Sequence, residues 1–197
     1  MGRSATYDKD LVLKAAMDLF WARGYHTTSL KDLERVLDMR PGSIYAAFGS
    51  KEALFRASLD RYATAGRSAL EDTLAKSESP ISGLAAHVRM FGGLPRGALP
   101  SRACMLVKTL LETPDDEPEL RRSVEDMMRQ TETAFAEAFR AAREAGEIAH
   151  DADPERLAAR LQAAIFGLRA YAQRTDAAER VERIAEDIAR DIEAMRT

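Results

Sequence analysis

Apolar and polar residues follow helical periodicity along almost the whole chain. Between residues 9 and 23 the apolar side chains recur three and four positions apart, which predicts a helix with one apolar face, and Gly24 follows as a helix stop. The same spacing predicts a second helix over residues 29–37. Pro41 opens a third, very short helix, because proline is tolerated in the first turn, and Gly49 ends it.

Longer helices are predicted in the remainder of the chain. Ser50 can cap the fourth helix, and periodic segments then cover residues 81–92, 101–112, 118–145, 154–174 and 177–195. Stretches rich in Gly, Pro and Asp separate them, and no repeat or strand pattern interrupts the series. The sequence therefore predicts an all-α fold of about nine helices.

The composition excludes several classes of protein. The 197 residues include a single cysteine, which rules out an intrachain disulfide and a metal site made of several cysteines. No metal or cofactor is predicted. No apolar run approaches the roughly 18 residues that a membrane helix needs, and the start of the chain lacks the apolar stretch of a secretory signal. We therefore expect a cytoplasmic protein with no membrane partner.

The distribution of charge matters more than its total. With 29 Lys and Arg against 32 Asp and Glu the chain carries −3, which by itself argues against nucleic acid as a partner. Residues 1–62, however, carry +2, and the remainder carries −5. Any contact with nucleic acid is therefore expected in the N-terminal part.

The first three predicted helices have the layout of a helix-turn-helix, whose last helix lies in the major groove of DNA. Ile44 and Phe48 can anchor the inner face of that helix, while its outer face needs small or hydrogen-bonding residues. Hydroxyls and cations near helix N-termini suit phosphates. The DNA contacts predicted on these grounds are Thr28, Ser29, Gly42, Ser43, Tyr45, Ala46 and Lys51. The alternative is that Tyr45 is a core aromatic residue and Lys51 one more solvated charge.

The stretch from Val12 to Phe55 resembles the DNA-binding domain of the TetR/AcrR family of bacterial transcriptional regulators. The most specific part is the run Gly-Ser-Ile-Tyr-x-x-Phe-x-x-Lys-Glu-x-Leu, which begins at Gly42. The resemblance implies a regulator rather than an enzyme: a homodimeric repressor that binds a palindromic double-stranded DNA operator and is released by a small organic effector. It also implies a DNA-binding domain over residues 1–62 and a ligand-binding and dimerisation domain over residues 63–197.

The sequence departs from the family pattern at the turn and at the start of the recognition helix. Asp38 replaces the usual turn glycine, which is acceptable because Asp tolerates left-handed backbone geometry better than most residues. Arg40 and Pro41 occupy positions that, by resemblance, sit over base edges. Arg40 is therefore the candidate for a bidentate guanine contact.

The last two predicted helices carry apolar residues on two sides. Two such helices from each subunit would form a four-helix bundle, and the small residues Ala163 and Gly167 would allow close approach. The predicted dimer interface consists of Leu161, Ala164, Ile165, Leu168, Ile184 and Ile188. The alternative is that these apolar stripes pack only within the monomer.

An effector pocket is implied by the family resemblance, among bulky residues of the middle helices. The candidates are Met90, Phe91, Cys104, Met105, Lys108, Met127, Met128, Phe135 and Phe166. The alternative is that these residues form an ordinary core. His87 has no metal-ligand partner at a suitable spacing and is expected to be a satisfied core or surface histidine.

Cys104 is a candidate for chemistry of its own. If Ser101 caps the helix, Cys104 occupies its third position, where the helix dipole and the nearby Lys108 should lower the thiol pKa. The surrounding segment also resembles one in family members that sense electrophiles and oxidants through a cysteine. An electrophile-sensing or redox-sensing repressor and, less favoured, a thiol-dependent enzyme are therefore alternatives to ligand-relieved repression. The other interpretation of Cys104 is a buried, inert hydrophobe.

Overall fold

The computed structural model describes residues 8–93 and 97–197 and confirms the all-α prediction. The start of the chain, for which no secretory signal is predicted, lies outside the described residues. The middle of the Gly- and Pro-rich loop before Ser101 lies outside them as well. Nine helices are present in the described ranges: α1 (Lys9–Arg23), α2 (Leu30–Leu37), α3 (Pro41–Phe48), α4 (Lys51–Lys76), α5 (Pro80–Gly92), α6 (Met105–Glu112), α7 (Pro118–Glu144), α8 (Pro154–Tyr171) and α9 (Ala178–Glu193).

Local capping signals determine where most helices begin. The Asp8 carboxylate accepts from the backbone N–H groups of Asp10 and Leu11 at the start of α1. The hydroxyl of Ser50 accepts from the N–H of Ala53 in the first turn of α4. Proline stands in the first turn of α3, α5, α7 and α8, where its missing N–H costs nothing.

The start of α6 corrects the sequence-based prediction. The helix begins at Met105 and not at residue 101, so Cys104 is its N-cap and not its third residue. The reason is that the segment before Cys104 is held by side chains from distant helices: Trp21 and Arg169 both donate to the carbonyl oxygen of Ala103. These backbone groups are satisfied without a helix.

Two hydrophobic cores share the long helix α4. The first core joins α1, α2, α3, the first half of α4, α6 and the start of α7, with Phe20 and Phe55 in edge-to-face contact at 5.0 Å between ring centres. The second core joins the rest of α4 and α7 with α5, α8 and α9. The predicted domain boundary after residue 62 falls inside α4 and stays a prediction.

The second core buries half of the predicted dimer interface. Leu161, Ile165 and Leu168 pack inside this core, so they have no surface left for a partner chain. For these three residues the sequence-based assignment is wrong, since apolar periodicity marks a buried face without saying which chain covers it. Ala164, Ile184 and Ile188 are only partly buried and stay predictions.

Over the described ranges, none of the helices has the length and apolar content required to cross a membrane.

Candidate functional site

The α2–α3 pair has helix-turn-helix geometry. Asp38, between the two helices, has φ 51° and ψ 42°, the left-handed conformation that its position in the turn requires. Ile44 is 1% exposed and anchors α3 in the first core. Gly42, Ser43, Tyr45 and Ala46 are exposed, as the sequence predicts for the outer face of this helix.

Arg40 stands at the edge of this exposed face. It is the N-cap residue of α3, its side chain makes no capping hydrogen bond, and it forms no ion pair with any described residue. Pro41 follows in the first turn. The guanidinium is therefore exposed beside α3, and its role as a base contact stays a prediction.

Thr28 and Ser29 differ from what the sequence predicts. Thr28 is 0% exposed and its hydroxyl donates to the carbonyl oxygen of Gly24 at 2.7 Å, so it cannot reach a phosphate. Ser29 is exposed, but it forms a capping box with Asp32, donating through Oγ at 2.6 Å. These bonds from Ser29 lower the pKa of Asp32 to about 2. Both hydroxyls serve the local fold, which corrects the prediction for Thr28 and leaves Ser29 with an occupied donor.

Lys51 is held at the start of α4 by an aromatic residue that the sequence analysis missed. Its Nζ lies 4.4 Å from the centre of the Tyr25 ring, and that ring stacks on Phe55 at 4.8 Å. Partial burial lowers the pKa of Lys51. The cation–π contact holds the ammonium over the Tyr25 ring, and its contact with a phosphate stays a prediction.

A cavity of about 320 Å³ lies between the two cores. Its wall is contributed by α1, α4, α5, α6, α7, α8 and the segment before α6. Six residues predicted for the pocket line it: Met90, Phe91, Cys104, Met128, Phe135 and Phe166. The sequence analysis missed several others, among them Trp21, Tyr62, Gln162 and Arg169.

Three predicted pocket residues lie elsewhere. Met105 and Met127 pack in the first core instead. Lys108 points away to the end of α1, where its Nζ donates to the carbonyl oxygens of Trp21 at 2.8 Å and Ala22 at 3.3 Å. A cation suits the negative end of a helix dipole, so Lys108 ties α6 to α1.

His87 is not the satisfied histidine that the sequence predicts. It is 5% exposed and lines the cavity, and its Nδ1 has no hydrogen-bond partner among the described residues. Burial lowers the pKa of His87 to about 4, so the ring is neutral at pH 7. It packs edge-to-face on Phe91 at 5.2 Å and against Phe135 at 5.9 Å.

Arg169 is the cation of the cavity wall. It is 9% exposed, and it donates to the carbonyl oxygens of Arg102 at 3.0 Å and Ala103 at 3.3 Å and to the Tyr62 hydroxyl at 2.5 Å. Its guanidinium carbon lies 5.5 to 5.8 Å from the ring centres of Phe91, Trp21 and Tyr62. Burial, with the neighbouring Cys104, raises the pKa of Tyr62, so this hydroxyl stays protonated.

Cys104 lines the same cavity and is 6% exposed. The Lys108 ammonium, expected to act on the thiol, is instead engaged by carbonyl oxygens of α1. Among the described residues there is no group of three or more His, Cys, Asp or Glu side chains that could hold a metal ion.

Two family models match the chain. Residues 12–58 match the model described as bacterial regulatory proteins, tetR family, and residues 80–188 match the tetracyclin repressor-like C-terminal domain. Together they include the helix-turn-helix and most of the cavity wall.

Individual relatives agree with these models. One solved structure is that of cysteine-substituted CifR, a TetR family transcriptional regulator, complexed with 26-bp double-strand operator DNA. Its sequence is 32% identical to this chain, and the two structures superpose with a TM-score of 0.86 over 96% of this chain and 98% of that chain. The HTH-type transcriptional regulator YezE of Bacillus subtilis is 29% identical over 75% of this chain and 76% of its own length. The HTH-type transcriptional repressor ComR of Escherichia coli is 49% identical over 61 residues, which are 31% of this chain and only 29% of ComR. This chain therefore belongs to the tetR family of bacterial regulatory proteins and is a helix-turn-helix transcriptional regulator.

Proposed function

We propose that this protein is a cytoplasmic, homodimeric repressor that binds a palindromic operator in double-stranded DNA and leaves it when a small organic effector enters the cavity. The observation that carries the proposal is the make-up of the cavity wall. Trp21 on α1 belongs to the core that anchors the recognition helix, whereas Phe166 and Arg169 belong to α8. A ligand in this cavity would touch both parts of the molecule at once.

The exposed face of α3 supports DNA binding. Small side chains there allow the backbone to approach base edges, and Arg40 and Lys51 supply charge on either side of the helix. One structure that is similar over most of this chain is that of CifR complexed with operator DNA, and ComR is named as a repressor. We assign residues 1–62 to DNA binding and residues 63–197 to ligand binding and dimerisation.

The exposed sides of α8 and α9 support a dimer. Ala163 and Gly167 are exposed on α8, and Ala164, Ile184 and Ile188 are partly exposed on the two helices. Small residues allow close helix contact, and a symmetric partner would complete a four-helix bundle. Two-fold symmetry in the protein also matches a palindromic operator.

A selection from a library of randomised DNA duplexes tests the proposal. The full-length chain should enrich one palindromic sequence, which it should bind in a salt-sensitive manner as two chains per site. Failure to enrich any sequence over repeated rounds would refute operator binding. Enrichment of a site bound by a single chain would refute the dimer.

The alternatives built on Cys104 are less well supported. A thiol switch needs a reactive and accessible sulfur, and Cys104 is buried at the N-cap of α6 with the Lys108 ammonium directed elsewhere. Replacement of Cys104 by Ser separates the two mechanisms. If release from DNA by an effector persists in this variant, the thiol is not the switch.

A further inference from the structure

The cavity has an unbalanced charge. Arg169 brings a guanidinium to its wall, and none of the described residues that line it is an Asp or Glu. Arginine remains charged at any pH at which proteins are folded, and a buried charge without an opposite charge is costly. Carbonyl and hydroxyl oxygens solvate this cation, but they do not neutralise it.

The hydrogen bonds of Arg169 leave donors unused. A guanidinium has five N–H groups, and the bonds to Arg102, Ala103 and Tyr62 engage one group on each of its three nitrogens. One N–H on each terminal nitrogen therefore remains without an acceptor among the described residues. Two terminal N–H groups are what a guanidinium uses to hold a carboxylate.

His87 is a second polar group in the same cavity without a partner. Its Nδ1 is buried and has no hydrogen bond to a described residue. The imidazole and the guanidinium carbon both lie within 5.5 Å of the centre of the Phe91 ring. Buried polar atoms are nearly always hydrogen-bonded in native proteins, so an unpaired one on a residue that lines a cavity points to a ligand atom.

The remaining wall is largely apolar, and its polar side chains Gln162 and Thr131 already donate to backbone carbonyl oxygens of α7. Ala, Leu and Ile side chains contribute to it, together with methionine and phenylalanine side chains such as Met90, Met128, Phe135 and Phe166. A cavity of this size, with an apolar body and few polar groups, is typical of a site for a small organic molecule.

We propose that this cavity binds an amphipathic organic carboxylate, with its head group against Arg169 and its apolar body among the methionine and phenylalanine side chains. This ligand class rests on the proposed function, because it concerns the effector of that same cavity. The carboxylate neutralises the buried guanidinium, and His87 is the neutral hydrogen-bond partner for a further polar group of the natural ligand.

The same contact explains how the ligand reaches the DNA-binding part. Arg169 Nη2 shares the carbonyl oxygen of Ala103 with Trp21 of α1. A carboxylate on the two remaining N–H groups pulls the guanidinium towards the ligand and away from that carbonyl, to which its hydrogen bond is already 3.3 Å long. Binding therefore loosens the bridge between α8 and α1 through the segment that precedes α6.

Fluorescence titration of the full-length protein tests the ligand class, because Trp21 is the only tryptophan and lines the cavity. The probes are decanoate, decanamide and decylammonium, which share one apolar chain and differ in the charge of the head group. Decanoate should bind at least about tenfold more tightly than decanamide, and decylammonium should bind least. Equal affinities for decanoate and decanamide, or no binding of decanoate, would overturn the proposal.

Matched variants locate the head group. Arg169→Gln should abolish the preference for decanoate, whereas Arg160→Gln, which removes the same charge from an exposed position on α8, should retain it. If Arg169→Gln does not fold, the affinities of the natural chain for the three probes still test whether the cavity prefers a carboxylate. If decanoate binds selectively but leaves the affinity for the selected operator unchanged, effector-driven release fails while the ligand class stands.

Discussion

Trp21 and Arg169 share one hydrogen-bond acceptor, the carbonyl oxygen of Ala103, at 2.8 Å from Trp21 Nε1 and 3.3 Å from Arg169 Nη2. Trp21 belongs to the core that anchors the recognition helix, and Arg169 extends from α8. The segment before α6 is therefore clamped between the two parts of the molecule. Arg169 therefore contacts α1 in two ways, through this shared peptide group and through its guanidinium, which lies 5.6 Å from the centre of the Trp21 ring.

Trp21→Phe tests this bridge. The substitution removes the indole N–H and retains an aromatic ring against Tyr62, so the free energy of unfolding should fall by about 1 kcal/mol. Urea unfolding followed by circular dichroism measures it. Tyr45→Phe, which removes an exposed hydroxyl, is the control and should change little. A Trp21→Phe protein as stable as the natural chain would mean that the bond does not hold the segment.

The turn between α2 and α3 predicts an order of stabilities. Because Asp38 has a left-handed backbone, Asp38→Ala should lower the free energy of unfolding by about 1 kcal/mol, while Asp38→Gly should cost less or nothing. Urea denaturation of the three proteins gives the order. An alanine variant more stable than the glycine variant would contradict the left-handed backbone conformation at position 38.

Arg40→Ala tests the predicted base contact. Loss of a bidentate guanine contact should weaken binding to the selected operator by about 1–3 kcal/mol and should relax the preference at one base pair in each half-site. Electrophoretic mobility shift with all four bases at each position measures both effects. Arg174→Ala, an exposed arginine after α8, should leave operator binding unchanged. A uniform loss across all sequences would instead assign Arg40 to a phosphate.

Arg89 links α5 to α9 through two ion pairs, from which we predict how the stability of the fold changes at acid pH. It forms paired hydrogen bonds with Glu186 and with Glu193, which lower the pKa of Glu186 to about 2 and that of Glu193 below its usual value. A carboxylate with a lowered folded pKa stabilises the fold above the unfolded value of about 4.5, and this contribution disappears as the pH falls towards 2.

Arg89→Met should therefore raise the pKa of Glu186 towards 4.5. In this variant the free energy of unfolding should fall less steeply as the pH is lowered from 4.5 towards 2. A carboxyl-detected NMR titration measures the pKa directly. Arg190→Met is the matched control, because Arg190 also pairs with Glu186 but lowers the pKa of that carboxyl less than Arg89 does. An equal shift in both variants would contradict the dominance of Arg89.

Local signals in the sequence were sufficient for most of the fold. The helix stop at Gly24, the cap at Ser50 and the apolar spacing that buries Ile44 all act within a few residues, so they can be recognised without knowing the tertiary structure. The exposed face of α3 follows from the same local periodicity.

The features that could not be predicted depend on residues far apart in the chain. The late start of α6 arises because Trp21 and Arg169, 82 and 66 residues away from Ala103, take its carbonyl oxygen. His87 and Arg169 reach one cavity only after α5 and α8 pack. Apolar spacing also marks Leu161 as buried without saying whether its own chain or a partner covers it.

The central claim is that α3 reads the operator, and it is tested most directly by the fluorescence anisotropy of the selected operator with two charge-matched variants. Ala46→Asp places a carboxylate on the exposed face of α3, and Ala75→Asp places the same charge on an exposed position near the end of α4. Because DNA is a dense polyanion, Ala46→Asp should weaken operator binding by at least about tenfold, and Ala75→Asp should bind as the natural chain does. Equal affinities for the two variants, with both folded, would show that α3 is not the helix that reads the operator.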